Sequence, residues 1–337
     1  MLAALAAALA FVLGYAAQRA SICAVRATEQ WVACRRTSRL RAFFGAAAWS
    51  GAILLPLAWL LPSRAMLAAD APVSLAAIAG GALFGLGAWL NGACALGTIG
   101  HLARGRSDYV ATLAGLVLGG LAAIRLGIHP GPGMRSALAM PGWGGGIAWL
   151  AFTAAVVPAG VAGLAPVRRR RLGLVASFAL VGVCGGLLNA TAGPWPYTTL
   201  LANAAQRIAM PGVAAPPAIA LVCLPAILAG GAAAAYRTGR FALAAPRLLP
   251  GLAKLAGGAI MGLAAMLIPG GNDALLLSGL PSLDRGAWAA YPAMIAAVAL
   301  LLSWRGSGAG SRRRPARSPA SRAGSGARRR RSGRSAS

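Results

Sequence analysis

Apolar runs long enough to cross a bilayer recur nine times along this chain. They read roughly as Leu2–Ser21, Arg41–Leu61, Ser74–Leu90, Asp108–Gly127, Gly145–Ala165, Leu172–Ala190, Ala215–Tyr236, Leu252–Ile268 and Gly286–Trp304. A bilayer core of about 30 Å needs about 20 helical residues to span it. A soluble fold would have nothing against which to bury nine such helices. With 58% hydrophobic and 11% charged residues, the chain reads as an all-α polytopic membrane protein. The first run lacks the basic start of a signal peptide and is followed by its positive charges, so it is retained as a span.

The net charge of +27 invites a nucleic-acid reading, which its distribution removes. Eleven of the 32 basic residues lie from Arg305 onward, and most others sit in loops between apolar runs. Four loops are strongly basic: Arg35/Arg36/Arg39, Arg104/Arg106, Arg168–Arg171 and Arg237/Arg240/Arg247. The alternate loops hold one arginine each, Arg64, Arg135, Arg207 and Arg285. By the positive-inside rule, nine spans put every basic loop and the C-terminus in the cytoplasm and the N-terminus outside. One span more or fewer spoils that agreement.

The two halves echo one another. GGALFGLGAWL (Gly80–Leu90) returns as GGAIMGLAAML (Gly257–Leu267), each before a Gly-rich break, NGACALG and IPGGNDALLL. More weakly, LGYAAQRASIC (Leu13–Cys23) lines up with VGVCGGLLNAT (Val181–Thr191). Spans one to four then match six to nine. The five-span offset reverses orientation, giving two inverted repeats with short broken or re-entrant helices, a transporter architecture. The expected division is a transmembrane domain over 1–304, with repeat one about 1–127, a linker span at 145–165 and repeat two about 172–304. The tail 305–337 is rich in Arg, Ser, Gly, Ala and Pro without apolar period. It reads as disordered and cytoplasmic, in contact with anionic lipid rather than nucleic acid.

Polar residues crowd the breaks. A helix interrupted at membrane depth frees backbone groups that lipid cannot satisfy, so a break survives only inside protein or along a watery path. The first half places Ser21 and Cys23, then Asn91, Gly92, Cys94 and Thr98, at such points. The second half places Asn189 and Thr191, then Asn272 and Asp273. A thiol is small, polarisable and a weak donor, which suits a soft sulfur-containing substrate. Cys23 and Cys94 fall on the same side and are candidates to contact it. Cys184 and Cys223 lie mid-span and read as packing, and Cys34 as a loop thiol. Asn189 and Thr191 are candidate donors to an anion, while Trp195 and Tyr197 read as interfacial anchors. Asp273 has two readings: an intramembrane functional carboxylate, or a surface N-cap of the Ala274–Leu280 helix.

The motifs QRASICAVRA, FGLGAWLNGACALGTIGHLARG and PGGNDALLLSGLP with the following AYPAMI resemble the YeeE/YedE family of inner-membrane sulfur-compound transporters. The resemblance covers Leu2–Trp304. It implies a bacterial inner-membrane location and passage of thiosulfate along cysteines, onto which Cys23 and Cys94 map. Where the thiosulfate-type pattern has a third cysteine, this chain has Gly270, Gly271, Asn272 and Asp273, so another sulfur or selenium species is an equal candidate.

No paired carboxylate, nucleophile elbow, P-loop or metal-ligand spacing occurs, and neither His101 nor His129 has a nearby acidic partner. The expectation is a non-enzymatic permease for a small sulfur-containing anion, without cofactor, metal or nucleic-acid partner. The alternative is a membrane thiol relay that carries a persulfide and hands sulfur to a cytoplasmic acceptor protein. The orientation is checked by labelling: a cysteine placed at Arg135 should react with an impermeant reagent from outside, and one at Arg170 should not. The opposite pattern overturns the nine-span topology.

Overall fold

The computed structural model describes residues 1–128, 133–163, 169–268 and 270–310, with side chains described through 157 and again from 173 to 305. His129 and the tail beyond 310 lie outside the described residues. Thirteen helical elements follow one another: α1 (Leu2–Ala20), α2 (Ala24–Cys34), α3 (Ser38–Leu60), α4 (Leu75–Asn91), α5 (Ala95–Leu102), α6 (Val110–Arg125) and α7 (Trp143–Gly163). Then come α8 (Arg169–Thr191), α9 (Tyr197–Ala209), α10 (Ala218–Arg237), α11 (Leu248–Leu267), α12 (Asn272–Ala274, continued by a π turn at Leu275–Gly279) and α13 (Arg285–Gly310). Eight stretches are long and apolar enough to cross a membrane, and α7 is apolar over the described Trp143–Val157. No strand occurs among the described residues; the extended segments make only isolated bridges.

The packing obeys an exchange rule. Swapping α1–α6 for α8–α13 in order reproduces the main helix pairs. Thus α1 packs on α10 as α8 packs on α3, α4 on α13 as α11 on α6, and α2 on α13 as α9 on α6. The pairs α1·α8 and α4·α11 map onto themselves and lie about the pseudo-axis, whereas α7 has no counterpart. This is the inverted repeat expected from the echoing segments.

The echoing glycines do the same work in both halves. A Cβ on Gly81 would lie 2.8 Å from the Ala290 carbonyl carbon of α13, and one on Gly258 would lie 2.9 Å from Thr112 Cα of α6. Four residues on, Gly85 meets Met294 of α13 and Gly262 meets Leu116 of α6. Lipid offers no hydrophobic drive for helices to associate, so dispersion at close backbone approach supplies it, and only small residues allow that approach. On the side bearing Arg135, Asp70 pairs with Arg285 at 2.9 Å and Asp284 Oδ1 accepts from the Ala71 amide at 2.9 Å. These bonds sew the loop after α3 to the start of α13.

Gly119 is the sharpest test of the seams, since a Cβ there would lie 2.6 Å from the Ala259 carbonyl carbon. Gly119→Val should cost at least about 1–3 kcal/mol by overpacking. Gly173→Ala meets open space and should be nearly silent. Thermal unfolding of both variants in detergent checks the contrast.

Candidate functional site

Four of the helices are broken, and each break is set by local backbone chemistry. Ser21 ends α1 in the left-handed region (φ 52°, ψ 54°), its amide donating to Gln18 O at 3.1 Å. Cys23 is extended and stands at the N-cap of α2. Gly92 (φ 74°) ends α4, in the conformation glycine adopts most cheaply, and Cys94 stands at the N-cap of α5. In the second half Gly193 (φ 69°) precedes α9 and Gly270 (φ 86°) precedes α12.

Tertiary structure brings these breaks together. Cys23 and Cys94 are both buried and stand beside one another, each at the start of its own helix. The Ala24 amide, at the start of α2, donates to Cys94 Sγ at 3.1 Å. Gly97, one turn into α5, makes room for this: a Cβ there would lie 2.7 Å from Cys23 Sγ. Tyr197 reaches across from α9 and donates to Ala95 O at 2.8 Å. The starts of α2 and α5 therefore converge on two thiols, and helix N-termini favour negative charge.

The remaining polar candidates divide by whether their donors are already used. Asn91 Nδ2 donates to Ala93 O (2.7 Å) and Thr98 Oγ1 (2.9 Å), and its Oδ1 accepts from Thr112 (2.7 Å). Asn189 donates to Leu277 O (2.8 Å) and accepts from Trp195 Nε1 (3.1 Å) and Ser278 (2.9 Å). Thr191 turns back on Leu187 O (2.9 Å). These residues brace the breaks. Gly92 faces Lys254 and Tyr109, and Lys254 donates to Asn91 O. Trp195 and Tyr197, read from the sequence as interfacial anchors, are 1% and 2% exposed. Their polar atoms serve Asn189 and Ala95, so that expectation is corrected.

Asp273 is 1% exposed, which removes the surface-cap reading. It accepts from the Thr198 amide at 3.3 Å and from the Thr198 hydroxyl, so it caps α9 instead of the helix that carries it. Thr198 Oγ1 in turn accepts from the Gly271 amide at 3.1 Å. In the first half the N-terminus of α2 is served by a thiol from the neighbouring break; in the second half that of α9 is served by a carboxylate. Asn272 is fully buried, and neither end of its amide has a hydrogen-bond partner among the described residues.

Sequence reasoning missed Arg104. Its guanidinium donates to Ser21 Oγ at 3.3 Å. With the Gln18 amide turned so that both its ends are satisfied, Gln18 donates to Gly100 O (3.0 Å) and accepts from Arg104 Nε (2.6 Å). Arg104 thereby lies beside Cys23 in a space of about 20 Å³, also lined by Arg26, Gly97 and His101. That is about one water-sized probe. Burial, then the charges of Arg240, Arg26 and Arg106, hold Arg104 below the usual guanidinium range. It remains a cation. Its signal in the sequence was only one more arginine in a basic loop.

Cys184 and Cys223 are buried in α8 and α10, Cys223 against Ile219 O (3.6 Å), and Cys34 is exposed. No group of three metal-ligating side chains occurs among the described residues.

Broken helices meeting about a pseudo-axis in a bundle of membrane-length helices define a polytopic transporter fold. The sequence model for sulphur transport matches residues 19–138 and again 137–300, so nearly the whole bundle is covered, one match per half. The chain belongs to the YeeE/YedE sulphur transport family. Among curated proteins no match to the chain is found.

The two buried asparagines provide a check on the site's wiring. Asn91→Leu strands partners of three hydrogen bonds, each orphaned group costing about 1–3 kcal/mol, and should lower the unfolding temperature clearly. Asn272→Leu removes an unpartnered amide and should be neutral or slightly stabilising. The reverse ranking in thermal unfolding would show that these roles are misassigned.

Proposed function

We propose that the chain is an inner-membrane permease for uptake of a small sulfur-containing anion, thiosulfate or a related sulfur or selenium species. Cys23 and Cys94 contact the anion along a narrow path. The observation that carries this reading is the meeting of two thiols from separate breaks at the starts of two helices, beside a guanidinium without a carboxylate partner. The proposed frame is repeat one at about 1–127 and repeat two at about 172–304, with basic loops and the C-terminus cytoplasmic.

The chemistry follows from the groups present. Backbone N–H donors at the starts of α2 and α5 offer positive partial charge without a counter-ion. The thiols add weak, polarisable donors that a sulfur anion meets at little desolvation cost. Arg104 is held by two neutral partners, Ser21 and Gln18. Both bonds run from the cation to a neutral acceptor, whereas an anion adds its own charge and can take the guanidinium in a bidentate pair, so an arriving anion can displace both. Arg104 is thus a latch on the basic side of the thiols, and the roughly 20 Å³ space is the closed state of the path. Asp273 is held by Thr198 at the start of α9.

Uptake of labelled thiosulfate by membrane vesicles, at matched expression, tests the reading. Cys94→Ser and Cys23→Ser should each lower uptake about tenfold or more, the effect of losing a contact worth about 1.4 kcal/mol. The double variant should be little worse than either, because residues acting as one unit are not additive. Arg104→Gln should also lose uptake, and Arg104→Lys should recover part of it. Full uptake by both serine variants overturns the thiol path. A persulfide trapped on Cys94 with no net flux favours the relay, in which sulfur passes to a cytoplasmic acceptor protein.

A further inference from the structure

The loop between α10 and α11 does not wander over the surface. Its Ala242 and Ala244 amides donate to Arg104 O (2.9 Å) and Gly105 O (3.0 Å), and Ser107 Oγ donates to Ala244 O (2.6 Å). Pinned in this way to the loop before α6, it borders an open cleft of about 530 Å³ lined by Arg104, Arg106, Arg240, Arg247 and Asp108. That volume is within the range of ligand pockets, roughly 300–1,000 Å³.

The cavity carries four guanidiniums against one carboxylate, and Asp108 is already bound by Arg106 at 2.9 Å. The chain has only five acidic residues. Asp70 is taken by Arg285, Asp273 by Thr198 and Asp284 by Ala71, which leaves Glu29 on α2. Among the described residues neither Arg240 nor Arg247 pairs with a carboxylate.

Arg247 also lines a second cavity, of about 400 Å³, whose other walls include Ala111, Leu248, Gly251, Leu252 and Leu255. This one is an apolar groove between the starts of α6 and α11. A basic chamber that opens past a shared arginine onto an apolar groove, at the ends of two membrane helices, matches one kind of molecule. The same loop exposes Phe241 and Leu243, and α11 starts with exposed Leu248 and Leu249, so apolar and basic side chains alternate at one level. A free anion would leave the groove bare, and an acidic protein would have to enter the depth of the lipid chains to fill it.

We propose that these two cavities form one binding site for an anionic glycerophospholipid. Its phosphate and headgroup lie in the arginine chamber, and one acyl chain lies in the groove between α6 and α11. Basic pockets at the ends of membrane helices are suited to such headgroups. The lipid pins the α10–α11 loop against the loop of Arg104, and its binding stabilises the fold by mass action.

The test uses the full chain, purified in detergent, with thermal unfolding measured in added phosphatidylglycerol, phosphatidylcholine or glycerol 3-phosphate. Phosphatidylglycerol should raise the unfolding temperature by several degrees, and the other two should not. Arg240→Gln combined with Arg247→Gln should abolish that rise while leaving the unfolding temperature in phosphatidylcholine unchanged. Gly251→Leu, at a position where a side chain meets open space, keeps every charge but fills the groove, and should also reduce the rise. Equal stabilisation by both phospholipids, or a rise that survives the arginine exchanges, overturns the proposal. A matching rise with glycerol 3-phosphate reassigns the chamber to a free anion. Stabilisation by an acidic peptide in place of phosphatidylglycerol reassigns it to a protein partner.

Discussion

Breaking a helix inside a membrane releases backbone groups that lipid cannot accept, and the centre of this protein is built around satisfying them. The Ala24 amide goes to the Cys94 thiol, the Ala95 carbonyl to Tyr197, and the Thr198 amide to Asp273. The Gly271 amide goes to the Thr198 hydroxyl. The Leu277 carbonyl, freed in the π turn, takes both Ser50 and Asn189 at 2.8 Å. Each partner comes from a different break or a neighbouring helix. No break is therefore stable alone, and the two repeats hold each other's irregular backbone in place.

Within that shared scheme the halves differ in one chemical respect. The thiol half offers neutral, soft groups at the starts of α2 and α5. The other half closes the start of α9 with a buried carboxyl group that is itself held by Thr198. A carboxylate locks its helix end more firmly than a thiol does, because it is the stronger acceptor and responds to the same positive end. In the second half the corresponding break is braced by Asp273 and Thr198.

Charge is distributed in keeping with this. With so few acids, two arginines of the basic loops settle on neutral groups. Arg39 donates to the Ala20 and Ser21 carbonyls at 3.2 Å, capping the end of α1, and Arg104 leans on Ser21 and Gln18. Cations held by neutral partners are ready to exchange them for an anion.

The nine apolar runs determined the class and the helix order, because a bilayer demands about twenty apolar residues per crossing wherever they occur. The echo of Gly80–Leu90 in Gly257–Leu267 was equally legible, since close helix crossings in lipid require small residues at fixed spacing. It named in advance the glycines that pack Gly81 on α13 and Gly258 on α6. Clusters of polar residues marked the breaks for the same reason. Which of those residues brace and which remain available was decided only by tertiary structure. Asn91, Asn189 and Thr191 look like ligands in a sequence until their donors are seen to be engaged, whereas Arg104 looks like any loop arginine until it is found beside Cys23. Hydrogen-bond partners lie up to 227 residues apart here, as Ser50 and Leu277 do. No local pattern carries that information, because it is created when two repeats of opposite orientation close on one another.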